Sequence, residues 1–384
     1  MRNRRDTLIA LAACFELPRS VACRLAQSLD AWRAAGWAGD PATAQALGVP
    51  ADALATARRV VDRAATVARR QIRRTAELGG EVVTFGEPAY PAALRDLELP
   101  PPALFVRGRL PAAGPEGAVA VVGSRRADPY GKEVAGLFAR QLAEAGLTVV
   151  SGFARGIDAA AHRGALEAET PGGCATVAVL GSGLGVDYPR GHRRLGESIT
   201  GRGALVTEFP PGLSPKAWHF PVRNRLIAAL AAAVLVVRAA PRSGSLVTAR
   251  LALDLGREVF AVPGRIFEER SLGTNALIAD GAQVALHPRD LLERLGWPPG
   301  GPAPAPGSEP EAGHGVEAGG APGALPKGFA GQVLDALTPG EATAPETVAA
   351  RLGRSVDRVL GALLELELAG RVRRYPGPAY VRRP

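Results

Sequence analysis

Four times between Val119 and Ala249 the sequence repeats one pattern: a short apolar run, a turn of Gly, Ser and Arg, then a helix-forming stretch. The segments are VAVVGSRR (119–126), LTVVSGFARGID (147–158), VAVLGSGLG (177–185) and VLVVRAAPRSGSLVTA (234–249). Runs apolar on every residue suit strands buried on both faces of a parallel sheet. The pattern therefore predicts an α/β fold with a Rossmann-like parallel sheet, all four turns opening at one carboxyl edge, where such sheets hold ligands. Helix-start amides with serine hydroxyls and arginines nearby are groups that bind phosphate, and several along one edge suit a ligand with several phosphates.

The turns also exclude chemistries. Gly123-Ser124-Arg125 lacks both the G-x-G-x-x-G of a dinucleotide site and the G-x-x-x-x-G-K-[ST] of a P-loop. Gly123 lets a ligand approach the backbone, and Ser124 and Arg125 can hold one phosphate. Gly181-Ser182-Gly183-Leu184-Gly185 has no basic residue before Arg190 and reads as a tight turn. His219-Phe220-Pro221-Val222-Arg223-Asn224-Arg225 puts two arginines, an asparagine and an aromatic at a helix start, and Arg242-Ser243-Gly244-Ser245 opens the next helix. The five histidines have no metal-ligand spacing, and Asp158 and His162, one helical turn apart, suit a brace. Asp187, Glu208 and Asp280 suit orienting arginines. No catalytic set, metal or cofactor is expected. Cys14, Cys23 and Cys174 form neither a disulfide framework nor a zinc site.

Charge divides the chain. Residues 1–75 hold 13 basic against 6 acidic residues, while residues 76–297 hold 24 against 22. A basic balance favours polyanion partners. The expected organisation is a helical, SAM-like domain (1–78), the Rossmann-like domain (79–297), a Pro/Gly/Ala linker (298–326) and a winged helix (327–384) with three helices and a two-stranded wing. The apolar run Leu226–Val237 is too short to span a bilayer, so a cytoplasmic protein without membrane contact is expected.

In order along residues 82–290, YPAALRDLELPPPALFVRG, VAVVGSRRADPYG, SGFARGIDAAAHRGAL, GLGVDYP, HFPVRNRLIAAL, SGSLVTARLALDLGREVFAVPG and SLGTNALIADGA resemble the DprA/Smf family of DNA-processing proteins. The resemblance implies a Rossmann-like core that binds single-stranded DNA without strong sequence preference, dimerises, and helps load a RecA-type recombinase during natural transformation. It implies a phosphate pocket of Ser124, Arg125, Arg223 and Arg225, with Phe220 and Asn224 beside it. Gly123, Gly152, Arg155, Ser243 and Gly244, from the turns, complete the expected DNA-binding set. Two departures stand out: Tyr188-Pro189 runs on to His192 where the family often has Asn, and Glu16-Leu17-Pro18 replaces a G-[IV]-G hairpin. Base stacking is expected at Phe153, Trp218 or Phe220. The rival reading is a nucleotide-processing hydrolase of the lysine-decarboxylase-like Rossmann group. That group carries P-G-G-x-G-T-x-x-E, whereas Pro171-Gly172-Gly173 here runs into Cys174-Ala175-Thr176 and a strand, and the helix at Ser243-Gly244-Ser245 lacks the acid.

Overall fold

The computed structural model describes residues 3–111, 114–169, 173–297, 329–337, 343–368, 371–375 and 379–382. The expected linker and the Pro171-Gly172 turn lie outside the described residues. The chain divides into two compact units, Met1–Pro304 and Ala305–Pro384.

Six helices come first: α1 (Arg4–Ala13), α2 (Arg19–Gln27), α3 (Leu29–Ala34), α4 (Pro41–Ala46), α5 (Ala51–Asp62) and α6 (Ala64–Glu77). Helices α5 and α6 are separated by the single residue Arg63. On α1, Leu8 and Leu11 enter a helical core with Leu25, Trp32 and Leu54, while Ile9 and Ala12 pack with Phe105 and Leu180 of the sheet region. One helix with two apolar faces thereby fuses the helical segment to the sheet within the first unit.

The sheet elements follow as β1 (Gly80–Thr84), β2 (Ala103–Gly108), β3 (Ala118–Val122), α7 (Pro129–Glu144), β4 (Thr148–Ser151), α8 (Ile157–Glu167), β5 (Thr176–Val179), α9 (Arg193–Arg202), β6 (Gly203–Thr207), α10 (His219–Ala229), β7 (Ala233–Val236), α11 (Gly244–Asp254), β8 (Glu258–Ala261), α12 (Glu269–Ala279), β9 (Gln283–Val284) and α13 (Pro288–Arg294). Strand order is β1-β2-β6-β5-β4-β3-β7-β8-β9. The strands from β3 onward run parallel; β1 and β2 form an antiparallel extension on β6 that the sequence pattern did not reveal. Along β3, Ala118, Ala120 and Val122 enter one core while Val119 and Val121 enter the other, which is why the run must be apolar throughout. The order reverses between β3 and β7, and a crevice opens there at the carboxyl edge.

The second unit contains α14 (Phe329–Asp335), α15 (Pro345–Leu352), α16 (Val356–Leu368) and the antiparallel pair β10 (Val372–Tyr375) and β11 (Ala379–Arg382). Val333, Leu334, Val348, Val359, Leu363, Val372 and Tyr380 form its core. Three helices and a two-stranded wing make the expected winged helix. The side chains of Arg373, Arg374, Arg382 and Arg383 lie outside the described residues.

Candidate functional site

At the carboxyl edge, glycines let loops approach more closely than any other residue would permit. A Cβ on Gly123 would meet the Ile157 side chain at 2.7 Å and the Arg238 carbonyl at 2.9 Å. Gly156 (φ +82°) starts α8 against the Ser124 carbonyl, which accepts the Ile157 N–H at 3.2 Å. The Ser124 N–H donates to Arg238 O (2.7 Å), and its hydroxyl accepts the Arg126 N–H (3.1 Å). The turn after β3 is therefore clamped at both ends, and its two arginines, Arg125 and Arg126, project outward and exposed.

Beneath it lies a buried charge pair. Arg223 of α10 donates through one nitrogen to the carbonyls of Gly152 and Val179, at the ends of β4 and β5, and through Nε to Asn224 Oδ1. Burial pulls its guanidinium down to about 10, against the opposing pull of Asp158. Asp158 is also buried; desolvation pushes its carboxyl up while Arg223 draws it back, and its Oδ2 accepts the Ala154 N–H at 3.2 Å. Gly152 is wedged between the two, since a Cβ there would lie 2.6 Å from Asp158 Oδ2 and 2.8 Å from Arg223 Nη2. Asn224 donates to Gly244 O at 3.3 Å, tying α10 to the start of α11, where Ser243 caps the helix by accepting the Ser245 N–H.

Two cavities open above this floor. One, of about 610 Å³, is lined by Ser124, Arg125, Phe220, Arg242, Ser243 and Gly244 among others. The second, of about 470 Å³, is lined by Arg125, Arg126, Arg155, Tyr188, Arg190 and Phe220 among others. Arg125 and Phe220 belong to both, with the guanidinium carbon 4.6 Å from the ring centroid. Phe220 in turn rests on Gly181, where a Cβ would meet the ring at 2.8 Å. The Gly181 turn thus makes room for an aromatic instead of a phosphate. Arg125, Arg126, Arg155, Arg190 and Arg242 are all exposed along this groove, and among the described residues none of the five pairs with a carboxylate.

The expected DNA-binding residues separate accordingly. Ten of them line one or both cavities: Gly123, Ser124, Gly152, Arg223 and Asn224 at the floor with its hydrogen-bond frame, and Arg125, Arg155, Phe220, Ser243 and Gly244 around it. Arg225 lines neither. It donates to Glu208 Oε2 at 2.8 Å, and Arg19 of α2 reaches the same oxygen at 3.2 Å. Phe153 is 8% exposed and enclosed by His162 and His192, so it is not a stacking surface. Tyr188, 38% exposed with its ring 5.6 Å from Phe220, stands in the place expected of it. Trp218 is 44% exposed and packs edge-on to Phe209 and His219. Tyr188, Arg126, Arg190 and Arg242 were outside the expected set, although each sits in or beside a turn leaving a parallel strand. His162 bonds Thr176 Oγ1 at 2.7 Å instead of Asp158, and Asp187 and Asp280 are outside both cavity linings. Among the described residues, no group of His, Cys, Asp and Glu could hold a metal ion and no helix is long and apolar enough to cross a membrane.

Comparison with known proteins gives one consistent result. Residues 81–296 match the family model described as DNA recombination-mediator protein A, and residues 321–378 match the DprA winged helix domain. Protein Smf of Escherichia coli (strain K12) is 44% identical over 298 residues, covering 76% of this chain and 75% of its own. A putative DNA processing protein DprA of Mycobacterium tuberculosis is 38% identical over 327 residues, 82% of this chain and 79% of its own. The X-ray structure of DNA processing protein A from Streptococcus pneumoniae matches with a TM-score of 0.63 at 30% identity, covering 76% of this chain and 98% of that one.

Proposed function

For this chain, which belongs to the DNA recombination-mediator protein A (DprA) family, we propose that the groove at the carboxyl edge of the sheet holds single-stranded DNA by its phosphates. The observation that carries the reading is the row of exposed arginines without carboxylate partners (Arg125, Arg126, Arg155, Arg190 and Arg242) along two cavities that share the Arg125–Phe220 pair. Guanidinium groups bind phosphate through paired N–H donors, and the exposed Gly244 at the start of α11 adds a positive helix end. Phe220 and Tyr188 offer π faces to unstacked bases, which a duplex keeps inside. A single strand therefore uses both features of the groove, and a duplex only one. Gly123, Ser124, Gly152, Arg223 and Asn224 act by holding these groups in place.

In this reading the protein binds without turning over its ligand. Asp158 lines the first cavity but is only 6% exposed, packed against Gly152 with Arg223 beside it, and has the surroundings of a structural anion. The rival nucleotide hydrolase is not favoured, because the family match runs through the core and the acid of that group has no counterpart. Partnership with a RecA-type recombinase and self-association complete the proposal. The dimer surface we propose takes in Val284 and Leu286 at the β9 edge and Ile266 and Phe267 (96% exposed) between β8 and α12, which leave apolar side chains in solvent. The helical segment 1–78 and the winged helix 327–384 are assigned auxiliary roles.

The test compares affinity for single-stranded DNA, duplex DNA and free nucleotides over a range of salt. Preference for the single strand with a steep salt slope supports the reading; equal or tighter binding of mononucleotides, or release of phosphate or base, overturns it.

A further inference from the structure

The groove does not end at Tyr188. A third cavity, of about 350 Å³, shares Phe153, Leu180 and Tyr188 with the second and runs on to Arg107 and Leu78. Leu78 is the residue that ends α6, and its methyls lie where a Cβ on Gly185 would meet them at 3.0 Å. Three adjoining cavities thus form one trench from the start of α11, past β3, β4 and β5, to the end of α6.

The trench ends at Leu78, and the helix that Leu78 closes has an unusual exposed face, with Arg74 one turn back from Leu78. Its buried residues, Ala64, Ala68, Gln71 and Thr75, lie on one side. At about 100° per residue, the opposite side carries Arg69 and Arg73 in one row and Arg63, Arg70 and Arg74 in the next. All five are exposed. Two exposed arginines on other helices of this unit pair with glutamates one turn away, Arg140–Glu144 and Arg193–Glu197. On α6 the pairs one turn apart are Arg69 with Arg73 and Arg70 with Arg74, which repel. The Arg73–Glu77 ion pair on that face is long, at 3.6 Å between two exposed side chains. A helix that sets like charges one turn apart is stabilised by a polyanion laid across it.

We propose that a single strand held in the groove continues past Tyr188, through the third cavity and onto the Arg69–Arg74 face of α6, so that the N-terminal helices lengthen the DNA footprint. The middle of this path is close to neutral, with Arg107 and Arg193 against Asp187 and Glu197, and its wall is apolar (Leu180, Leu184, Leu205). It suits bases, with phosphates gripped at either end. The proposal rests on the groove reading and fails separately from it.

The experiment measures binding of the full chain to labelled single strands of increasing length, from about 4 to about 16 nucleotides, as a function of salt. The fourfold variant Arg69→Ala/Arg70→Ala/Arg73→Ala/Arg74→Ala is compared with the wild type and with Arg125→Ala. The expected result is unchanged affinity of the fourfold variant for the shortest strands, an affinity that no longer rises with length as the wild type's does, and a log–log salt slope shallower by roughly 0.7 for each phosphate that is no longer neutralised. All substituted side chains are exposed, and matching thermal unfolding confirms the fold; Arg70→Glu/Arg74→Glu gives a second, charge-reversed variant with a larger loss. Wild-type affinity and slope on the longest strands in both α6 variants would overturn the extension. If Arg125→Ala weakens binding at every length while the α6 variants do not, the groove stands and the extension falls. If Arg125→Ala changes nothing at any length, the groove reading itself falls.

Discussion

The Arg125 guanidinium lies 4.6 Å from the centroid of the Phe220 ring, on the wall shared by the two cavities. Stacking on an aromatic orients the planar group and leaves its edge donors free for an anion. Arg125→Ala is expected to weaken single-strand binding about equally for every base composition and to reduce the log–log salt slope by roughly 0.7. Arg125→Lys is expected to recover part of the slope but little of the affinity, because an ammonium neither stacks nor presents a fork. Titrations at several salt concentrations check both; an unchanged slope in Arg125→Ala removes it from the phosphate site.

Arg223 is expected to behave differently although it belongs to the same region. Its loss would leave the Gly152 and Val179 carbonyls without their donor and Asp158 buried without its neighbouring cation. Removing one member of a buried charge pair costs about 3–5 kcal/mol. Arg223→Ala should therefore lower the unfolding free energy by that order in denaturant titrations, and any loss of DNA binding should track the fraction unfolded. A stable Arg223→Ala variant with a flattened salt slope would instead make Arg223 a direct phosphate ligand.

The strands and turns were legible because an apolar run four to five residues long, closed by Gly or Ser, has few other ways to fold. The destinations of individual arginines were not, with one exception that the sequence does contain. Arg223 and Arg225 are two residues apart on a helix, hence about 200° apart around its axis, and cannot line the same pocket. The structure sends one under the sheet edge and the other to Glu208. Phe153 could not be read this way: its φ of 61° turns the ring inward between two histidines. Arg126, Arg190 and Arg242 converge from three different turns, so only the fold brings them together. The β1–β2 extension was hidden by the prolines between its strands, which mark turns but not the pairing that follows.

Acid is expected to destabilise the first unit through His162. Burial holds its imidazole down at about 3, against an ordinary value of 6.5. Between those values the unfolded chain binds a proton that the folded chain does not, so stability falls as pH drops from 6.5 toward 3, by at most about 1.4 kcal/mol per pH unit. Burial lowers His192 and His219 as well and adds to the effect. Asp158 works in the opposite sense, because its raised folded value favours the native state at low pH and that contribution is lost as pH rises through it. In urea unfolding across this range, His162→Asn should flatten the dependence by close to one proton; an unchanged slope would show that His162 is not the titrating group.

Arg225 supplies the sharpest separation between holding the fold and holding the ligand. Glu208, 1% exposed, accepts from Arg225 of α10 and from Arg19 of α2 through the same oxygen, and Arg19 also donates to the Ala12 and Glu208 carbonyls. The network therefore pins the helical segment to the strand end after β6 and to the helix that carries Phe220 and Arg223. Glu208→Ala leaves two guanidinium groups facing each other in a poorly solvated place, and the loss should be of the order of 3–5 kcal/mol. Arg225→Ala leaves Glu208 paired with Arg19 and should cost less. Because Arg225 lines neither cavity of the groove, its removal should leave the salt slope for single-strand binding at the wild-type value while the melting temperature falls. A shallower slope with unchanged stability would place Arg225 on the DNA and dissolve its assignment to the network.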